Sequence, residues 1–226
     1  MVSLQPIETV QLGDRAYEAI RDAIVTAELL PGSPVKDREL ADALQLSRTP
    51  VRDALHRLEA TGLVEMRGRR GWFVSSFGER DVRELFQLRR LLEPTGLDEL
   101  AARPDPQAVA TIAGFFDGYS HPLRQRQFAG YFARDHAFHS FIVGCSQNLR
   151  LQGFYDVIGH HIVRGRHYLS YGALERVDET LDEHQGIADA VRDGDFALAR
   201  LLLLQHLSTG EERMLEQLRR KLTAEA

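Results

Sequence analysis

The chain has 226 residues and a formal net charge of −5, with 43% hydrophobic and 27% charged residues. This composition is typical of a globular protein with an apolar core, and no window approaches the ~18 consecutive apolar residues of a membrane-spanning helix. Cys145 is the single cysteine, which excludes an intrachain disulfide. The first residues carry no pattern typical of an export signal, so we expect a cytoplasmic protein.

The first predicted helix covers residues 12–29. Apolar residues recur in it at four-residue spacing, which places them on one helical face: Leu12, Ala16, Ile20 and Ile24. Prolines 31 and 34 with Gly32 close the helix. This face carries no reactive group, so we expect it to brace the segment that follows.

Residues 37–74 have the pattern of a winged helix-turn-helix. Asp37 is predicted to cap a first short helix and Ser47 a second, and Gly62 is placed to end the second helix in a left-handed conformation. The second helix has an apolar repeat at Val51, Ala54, Leu55 and Leu58. Two β-prone runs, 63–66 and 72–74, flank a glycine- and arginine-rich tip and predict a β-hairpin.

The face of the second helix that points away from its apolar repeat carries Arg48, Thr49 and Arg52, and the hairpin tip carries Arg69 and Arg70. Guanidinium and hydroxyl groups at the start of a recognition helix are suited to base edges in the major groove of DNA. The alternative is an ordinary solvated helical face, which the combination with a basic hairpin makes less favoured.

The same stretch resembles the DNA-binding domain of the GntR family of bacterial transcription regulators. The resemblance lies in Arg38-Glu39-Leu40, the segment from Ser47 to Arg52, Gly62-Leu63-Val64 and Gly71-Trp72-Phe73-Val74. It implies that Arg38, Arg48 and Arg52 contact operator DNA. One such domain reads few base pairs, so we expect a homodimer on a palindromic double-stranded operator.

After a short linker at residues 75–78, the apolar residues recur with a helical period, and we place a domain boundary within this linker. The predicted domains are 1–76, a winged helix-turn-helix, and 77–226, an all-α antiparallel bundle, which makes the fold class mainly α. The predicted helices of the second domain cover residues 79–102, 105–119, 123–146, 149–170, 177–192 and 195–222.

Four polar residues occupy positions on predicted apolar stripes, where a polar group needs a partner: Asp135, His139, His184 and His206. A turn near residue 194 brings the helices of His184 and His206 back on each other at similar height. Three imidazoles and one carboxylate suit a divalent ion such as Zn²⁺, Ni²⁺, Fe²⁺ or Mn²⁺. Each histidine taken singly also fits an ordinary core position.

Arg89 is flanked by leucines, so its guanidinium is predicted to point inward. A buried guanidinium suits the carboxylate of a small ligand, and Arg166 is a weaker candidate for the same role. A structural salt bridge to Glu93 is the alternative for Arg89.

This second half is similar to the FCD effector-binding domain found in FadR-like members of the GntR family. The similarity lies around Arg89, in the segments Asp135–His139 and Ser146–Leu151, and at His184 and His206. It implies that Asp135 and the three histidines hold a metal at which an organic or sugar acid binds. It also implies that Asn148, in the matching 146–151 segment, helps to bind that acid.

The resulting hypothesis is a DNA-binding transcription regulator, a repressor in preference to an activator, controlled by a small carboxylate. Two alternatives stay open. One is a metal-dependent enzyme acting on a small acid, which would need a free general base beside the metal. The other is a purely structural metal without an effector.

Overall fold

The computed structural model describes residues 10–169 and 177–225. The chain forms two compact units, Met1–Phe77 and Gly78–Ala226, which divide one residue beyond the predicted boundary. Within the described ranges, we find no helix with the length and hydropathy needed to cross a bilayer.

The first unit combines three helices with a small sheet. Its elements in chain order are α1 (Val10–Val25), β1 (Pro34–Val35), α2 (Asp37–Leu44), α3 (Arg48–Ala60), β2 (Val64–Met66) and β3 (Trp72–Val74). The sheet order is β1-β3-β2 and both pairings are antiparallel, with Trp72 opposite Val35 on one side and Met66 on the other. This is the predicted winged helix-turn-helix.

The core of the first unit forms where α1 and α2 pack against α3. The predicted apolar faces are the ones that are buried, including Ala16, Ile20 and Ile24 on α1 and Val51, Leu55 and Leu58 on α3. Gly62 has φ +75°, the left-handed conformation expected after α3, which glycine adopts without steric cost.

Four local details of this unit differ from the sequence prediction. Helix α1 ends at Val25 and not at residue 29, and strand β1 was not foreseen because two residues are too short to show a period. Ser47 holds the N-cap position of α3 without a side-chain capping bond. Asp37 is not a cap either: Lys36 is at the N-cap of α2, and the Asp37 carboxylate accepts hydrogen bonds from arginines of α3.

The second unit is helical throughout its described residues. Its α-helices are α4 (Glu79–Leu92), α5 (Pro94–Ala102), α6 (Pro106–Ala113), α7 (Phe128–Gly144), α8 (Leu149–Tyr168), α9 (Val177–Arg192) and α10 (Phe196–Glu225), with a short 3₁₀ turn at Gln125–Gln127. Together with the first unit this gives the mainly α fold that the sequence predicts.

Several predicted helices of this unit are shorter or divided. The predicted 79–102 helix breaks into α4 and α5 at Pro94, because proline has no amide hydrogen and its ring clashes with the preceding turn. Helix α6 ends at Ala113, with Gly114 at its C-cap, and α7 begins only at Phe128. The predicted end of α8 at residue 170 lies outside the described residues.

The helix packing places α7, α9 and α10 around one interior region. Helix α10 packs against α9, α4 and α5, while α7 packs against α8 and α5. Helices α9 and α10 are joined at Gly194, whose φ of +77° allows the tight reversal that the sequence predicts. Helix α5 approaches α7 so closely that a Cβ added to Gly96 would lie 1.7 Å from the carbonyl oxygen of Ile142.

Replacing Gly96 with alanine should therefore force α5 and α7 apart. We expect a loss of about 2 kcal/mol or more, since overpacking a buried contact typically costs 1–3 kcal/mol. The control is Gly153→Ala at an exposed position of α8, where an added Cβ meets nothing within 4 Å and alanine should be neutral or stabilising. Urea unfolding followed by circular dichroism checks both variants, and equal midpoints would contradict the close approach.

Candidate metal centre and DNA-binding surface

Four buried side chains from three helices meet in the interior of the second unit. Asp135 and His139 lie one turn apart on α7, His184 lies on α9, and His206 lies on α10. One potential ligand atom from each residue lies within 4.8 Å of all the others. The structure thus brings together all four residues that the sequence selects as metal ligands.

The ligand atoms are close enough to share one ion. The Nε2 atoms of His139 and His184 are 3.1 Å apart, and the Oδ1 atom of Asp135 lies 3.1 Å from His184 Nε2 and 3.9 Å from His139 Nε2. The His206 ring centroid lies 4.4 Å from that of His184 and 5.1 Å from that of His139.

Outer partners fix the orientation of two of the imidazoles. His139 Nδ1 lies 2.7 Å from Glu93 Oε2, and His206 Nδ1 lies 2.7 Å from Glu183 Oε2. A carboxylate can only accept, so Nδ1 is the protonated nitrogen in each ring and donates the bond. Neutral rings held in this way present the lone pair of Nε2, the arrangement typical of histidines that bind a metal.

The third imidazole is oriented by Tyr131 and by aromatic stacking. The Tyr131 hydroxyl lies 2.8 Å from His184 Nδ1, which leaves His184 Nε2 facing the cluster. The ring of Phe116 stacks on His184 at a centroid distance of 4.9 Å with an 8° interplanar angle. Aromatic side chains therefore exclude water from this side of the cluster.

Burial keeps the three imidazoles neutral. It lowers the pKa of His139 and of His206 to about 4, and it lowers the pKa of His184 as well. Burial alone would raise the pKa of Asp135, but the charge of Arg166 and the hydrogen bond with His184 hold it well below its usual range. The cluster consists of three neutral nitrogen donors and one carboxylate.

This donor set fits a divalent metal ion. His139, whose Nδ1 is protonated, turns the lone pair of its Nε2 toward the cluster, where that nitrogen lies 3.1 Å from His184 Nε2, and Asp135 Oδ1 lies 3.1 Å from the same His184 nitrogen. A divalent ion could take all of these donors at once, with His184 Nε2 deprotonated. Nitrogen donors with one carboxylate suit Zn²⁺, Ni²⁺, Fe²⁺ or Mn²⁺.

A cavity of about 120 Å³ adjoins the cluster. Its lining includes the cluster residues Asp135 and His206 together with Phe86, Arg89, Phe132, Arg166, Val177, Thr180, Gly210, Arg213, Met214 and Gln217. A ligand in this cavity would have direct access to an ion held by the cluster.

Both arginines selected from the sequence line this cavity, and both are paired. Arg89 points inward as predicted, and its Nε donates to Glu93 Oε1 at 2.5 Å. This contact is the structural salt bridge that the sequence predicts as the alternative role of Arg89. Arg166 Nη1 donates to Asp135 Oδ2, the carboxylate oxygen that faces away from His184. Arg89 and Arg166 flank the cluster within one shared lining.

Asn148 lies elsewhere. It is exposed at the N-cap of α8, where its Oδ1 accepts from the backbone amides of Arg150 and Leu151, and it is not among the cavity-lining residues. The expectation that it contacts an acid in this cavity is therefore corrected, because its side-chain oxygen is used for helix capping.

Three functional candidates escaped the sequence prediction, Tyr131, Glu183 and Arg213, and Glu93 was expected only as a possible salt-bridge partner of Arg89. Glu93 follows Arg89 by one helical turn and is buried, so the search for polar residues on apolar stripes would also have found it. In the sequence, Tyr131 has the pattern of an ordinary aromatic core residue. Glu183 and Arg213 lie in charged surroundings in the sequence, where a solvated residue has the same pattern.

The first unit presents the predicted basic surface. Arg48 and Arg52 are exposed at the start of α3, and both donate to Asp37 Oδ2, at 2.9 and 2.6 Å. Both hydrogen bonds lower the pKa of the Asp37 carboxyl, and the bond from Arg48 has the larger effect. Thr49 is exposed between the two arginines. One face thus carries two oriented guanidinium groups.

The other predicted DNA contacts are also exposed. Arg38 lies on α2 with its Nε 4.0 Å from Asp42, and Arg69 and Arg70 lie in a 3₁₀ turn at the tip between β2 and β3. The glycine after this turn, Gly71, has φ +89°, which lets the chain reverse into β3.

Comparison with known families accounts for both units. Residues 12–74 match the model described as "Bacterial regulatory proteins, gntR family", and residues 84–209 match the model of the FCD domain. An HTH-type transcriptional regulator from an unstable DNA locus of Streptomyces ambofaciens is 31% identical over 84% of this chain and 80% of its own length. The "Probable D-xylose utilization operon transcriptional repressor" of Paenarthrobacter nicotinovorans is 28% identical, covering 84% of each chain.

Solved structures show the same fold. A GntR transcriptional regulator from Rhodococcus sp. RHA1 superposes with a TM-score of 0.76 at 24% identity, over 92% of this chain and 99% of that one. E. coli McbR/YncC gives a TM-score of 0.74 at 22% identity, over 96% and 99% of the two chains. This protein belongs to the GntR family of bacterial transcriptional regulators and carries an FCD domain as its second unit. It is a DNA-binding regulator.

The carboxylate behind His206 gives a direct test of the centre. We expect Glu183→Gln to weaken metal binding by about 10- to 100-fold, the usual effect of removing an outer partner of a ligating histidine. Glu179→Gln is the matched control, since Glu179 lies one turn earlier on α9 and also pairs with Arg213. Competition with a metallochromic chelator measures both affinities, and indistinguishable values would contradict the role of Glu183.

Proposed function

We propose that this regulator binds a divalent metal at Asp135, His139, His184 and His206, and that a small carboxylate bound at this metal controls its binding to operator DNA. The observation that carries the proposal is the convergence of one potential ligand atom from each of the four buried residues within 4.8 Å, with His139 and His206 each donating from Nδ1 to an outer carboxylate. A buried arrangement of this kind is stable when a cation accepts the lone pairs.

The bound metal would supply a Lewis acid that takes a carboxylate oxygen of the effector. Arg89 and Arg166 would donate hydrogen bonds to the same group, because planar guanidinium matches the geometry of a carboxylate. Each arginine already has an acidic partner, Glu93 and Asp135 respectively. Those partners hold the guanidinium groups in place at the cavity wall before the ligand arrives.

On the DNA side, we propose that Arg48, Thr49 and Arg52 enter the major groove, while Arg38 contacts the backbone. Arg69 and Arg70 at the hairpin tip would lie along an adjacent groove. The shared bond of Arg48 and Arg52 to Asp37 supports this assignment, since it limits the conformations of both side chains before DNA is bound. Two copies of the chain would read a palindromic operator as a homodimer.

For regulation, the effector must bind one conformation of the regulator more tightly than another, and the two must differ in affinity for DNA. An effector with equal affinity for both conformations would not change their populations. The relatives include a protein described as a repressor of a sugar-utilisation operon. We accordingly propose repression that is relieved by the effector.

An enzymatic role is less well supported. Two acids lie near the cluster, since Glu93 and Glu183 both lie against its histidines. Neither is a free general base, however: Glu93 accepts from Arg89, His139 and Tyr155, and Glu183 accepts from His206 and Arg213. Cys145 is no better as a nucleophile, since burial raises its pKa to about 11.

A gel-shift assay with the DNA upstream of its own gene tests the reading surface. We expect Arg48→Ala combined with Arg52→Ala to weaken binding at least 10-fold, since each guanidinium contact to a base or phosphate contributes ~1–3 kcal/mol. Arg57→Ala is the control, because Arg57 lies on the same helix but pairs with Asp14 and covers the Tyr17 ring. An unchanged affinity in the double variant would count against this surface.

The dependence of effector binding on the metal can be tested by thermal shift. Lactate, malonate and other acids of two to four carbons should raise the unfolding temperature of the metal-loaded protein, because a ligand that binds only the folded state stabilises it. The same acids should have no effect after the metal is removed or in Asp135→Ala. Stabilisation that is equal in both forms would show that the acid binds elsewhere, and none in either form would favour a structural metal.

A further inference from the structure

The cavity beside the metal centre continues along α10, past the last metal ligand. His206, Gly210, Arg213 and Gln217 all line it, and their spacing places them on one face of the helix. Phe86 packs closely on Gly210 between His206 and Arg213, since a Cβ there would lie 3.1 Å from the Phe86 ring. The cavity therefore has a second end, which Arg213 forms.

The guanidinium of Arg213 makes several hydrogen bonds, but one of its donor atoms has no partner among the described residues. Its Nη2 donates to Glu183 Oε1 at 2.9 Å and to Glu179 Oε2 at 3.2 Å, and its Nη1 donates to Thr180 at 3.2 Å. Its Nε is buried and has no hydrogen-bond partner within the described part of the chain. A buried charged donor without an acceptor is unfavourable, so this atom offers a place for an acceptor from a ligand.

Glu183 connects this arginine to the metal centre. One of its oxygens accepts from His206 and the other from Arg213. The two side chains are about 10.5 Å apart along the helix axis at 1.5 Å per residue, but the shared carboxylate draws their polar ends together. A ligand that spans from the proposed metal to Arg213 would therefore be short.

The charges and the size of the cavity favour a short ligand with two negative groups. Each of the three arginines in its described lining, Arg89, Arg166 and Arg213, is ion-paired with at least one acid. The positive charge for two carboxylates would come mainly from the proposed divalent ion, and Arg213 would add its unused Nε donor away from that ion. The cavity volume of about 120 Å³ restricts the ligand to a small molecule.

We propose that Arg213 is a second anion-binding residue of the effector site and that it selects short dicarboxylates over monocarboxylates. This inference rests on the proposed function, because the first carboxylate is the one bound at the metal. The second carboxylate would accept a hydrogen bond from Arg213 Nε and lie across Gly210.

The test compares malonate and succinate with their half-amides, malonamate and succinamate, which match them in size and shape but carry one charge fewer. Isothermal titration of the metal-loaded full chain should show at least one dianion binding 10-fold or more tightly than its half-amide. In Arg213→Gln this preference should fall below threefold, mainly through weaker binding of the dianion. Metal content is measured for each sample, so that loss of the ion is distinguished from loss of the Arg213 guanidinium.

Arg219→Gln is the control variant, since Arg219 also lies on α10 and pairs with a glutamate, Glu79, but does not line the cavity. It should keep the full preference. Gly210→Ala should weaken the dianions as well, because Phe86 must give way by a few tenths of an ångström.

The inference is overturned if wild type binds dianions and half-amides equally, or if Arg213→Gln retains the preference with its metal in place. Either result leaves the proposed function standing, because a carboxylate still binds at the metal. If metal-loaded wild type binds none of the four acids, the effector site proposed above fails together with this inference.

Discussion

The second unit depends on a local electrostatic constraint. Three imidazoles and a carboxylate converge in a region that aromatic rings close off from water, and outer hydrogen bonds from Nδ1 of His139 and His206 leave the Nε2 electron pairs of those two rings directed into the cluster. Taking these polar groups out of water costs free energy that hydrophobic packing of α7, α9 and α10 must offset. A cation converts the same convergence into an attraction that joins the three helices.

The residues around the four-residue cluster suit both parts of the proposal, an ion held by the cluster and a ligand bound beside it. Glu93 and Glu183 each contact a histidine on one side and an arginine on the other. The arginines are consequently neutralised in part, yet they line the cavity with donors directed inward. The first unit uses the same device at Asp37, which holds Arg48 and Arg52 on the exposed face of α3. In both units an acid restricts the conformations of neighbouring arginines.

The sequence predicts those features that depend on a regular period. Apolar repeats at Val51, Leu55 and Leu58 identify helix α3, and polar residues interrupting apolar stripes identify Asp135 and the three histidines. Features that depend on contacts between distant segments escape it. Arg213 and Glu183 become notable only once α9 and α10 are folded back on each other, and Asn148 was misassigned because an exposed helix cap and a ligand contact have the same sequence pattern.

The most direct test of this account is the metal content of the protein purified without chelators or a histidine tag, measured by inductively coupled plasma mass spectrometry. We expect about one divalent transition-metal ion per chain, and none in a variant in which His139 and His184 are replaced by alanine. A wild-type protein that contains no such ion, and that takes up none when titrated with Zn²⁺, Ni²⁺, Fe²⁺ or Mn²⁺, would contradict the central claim.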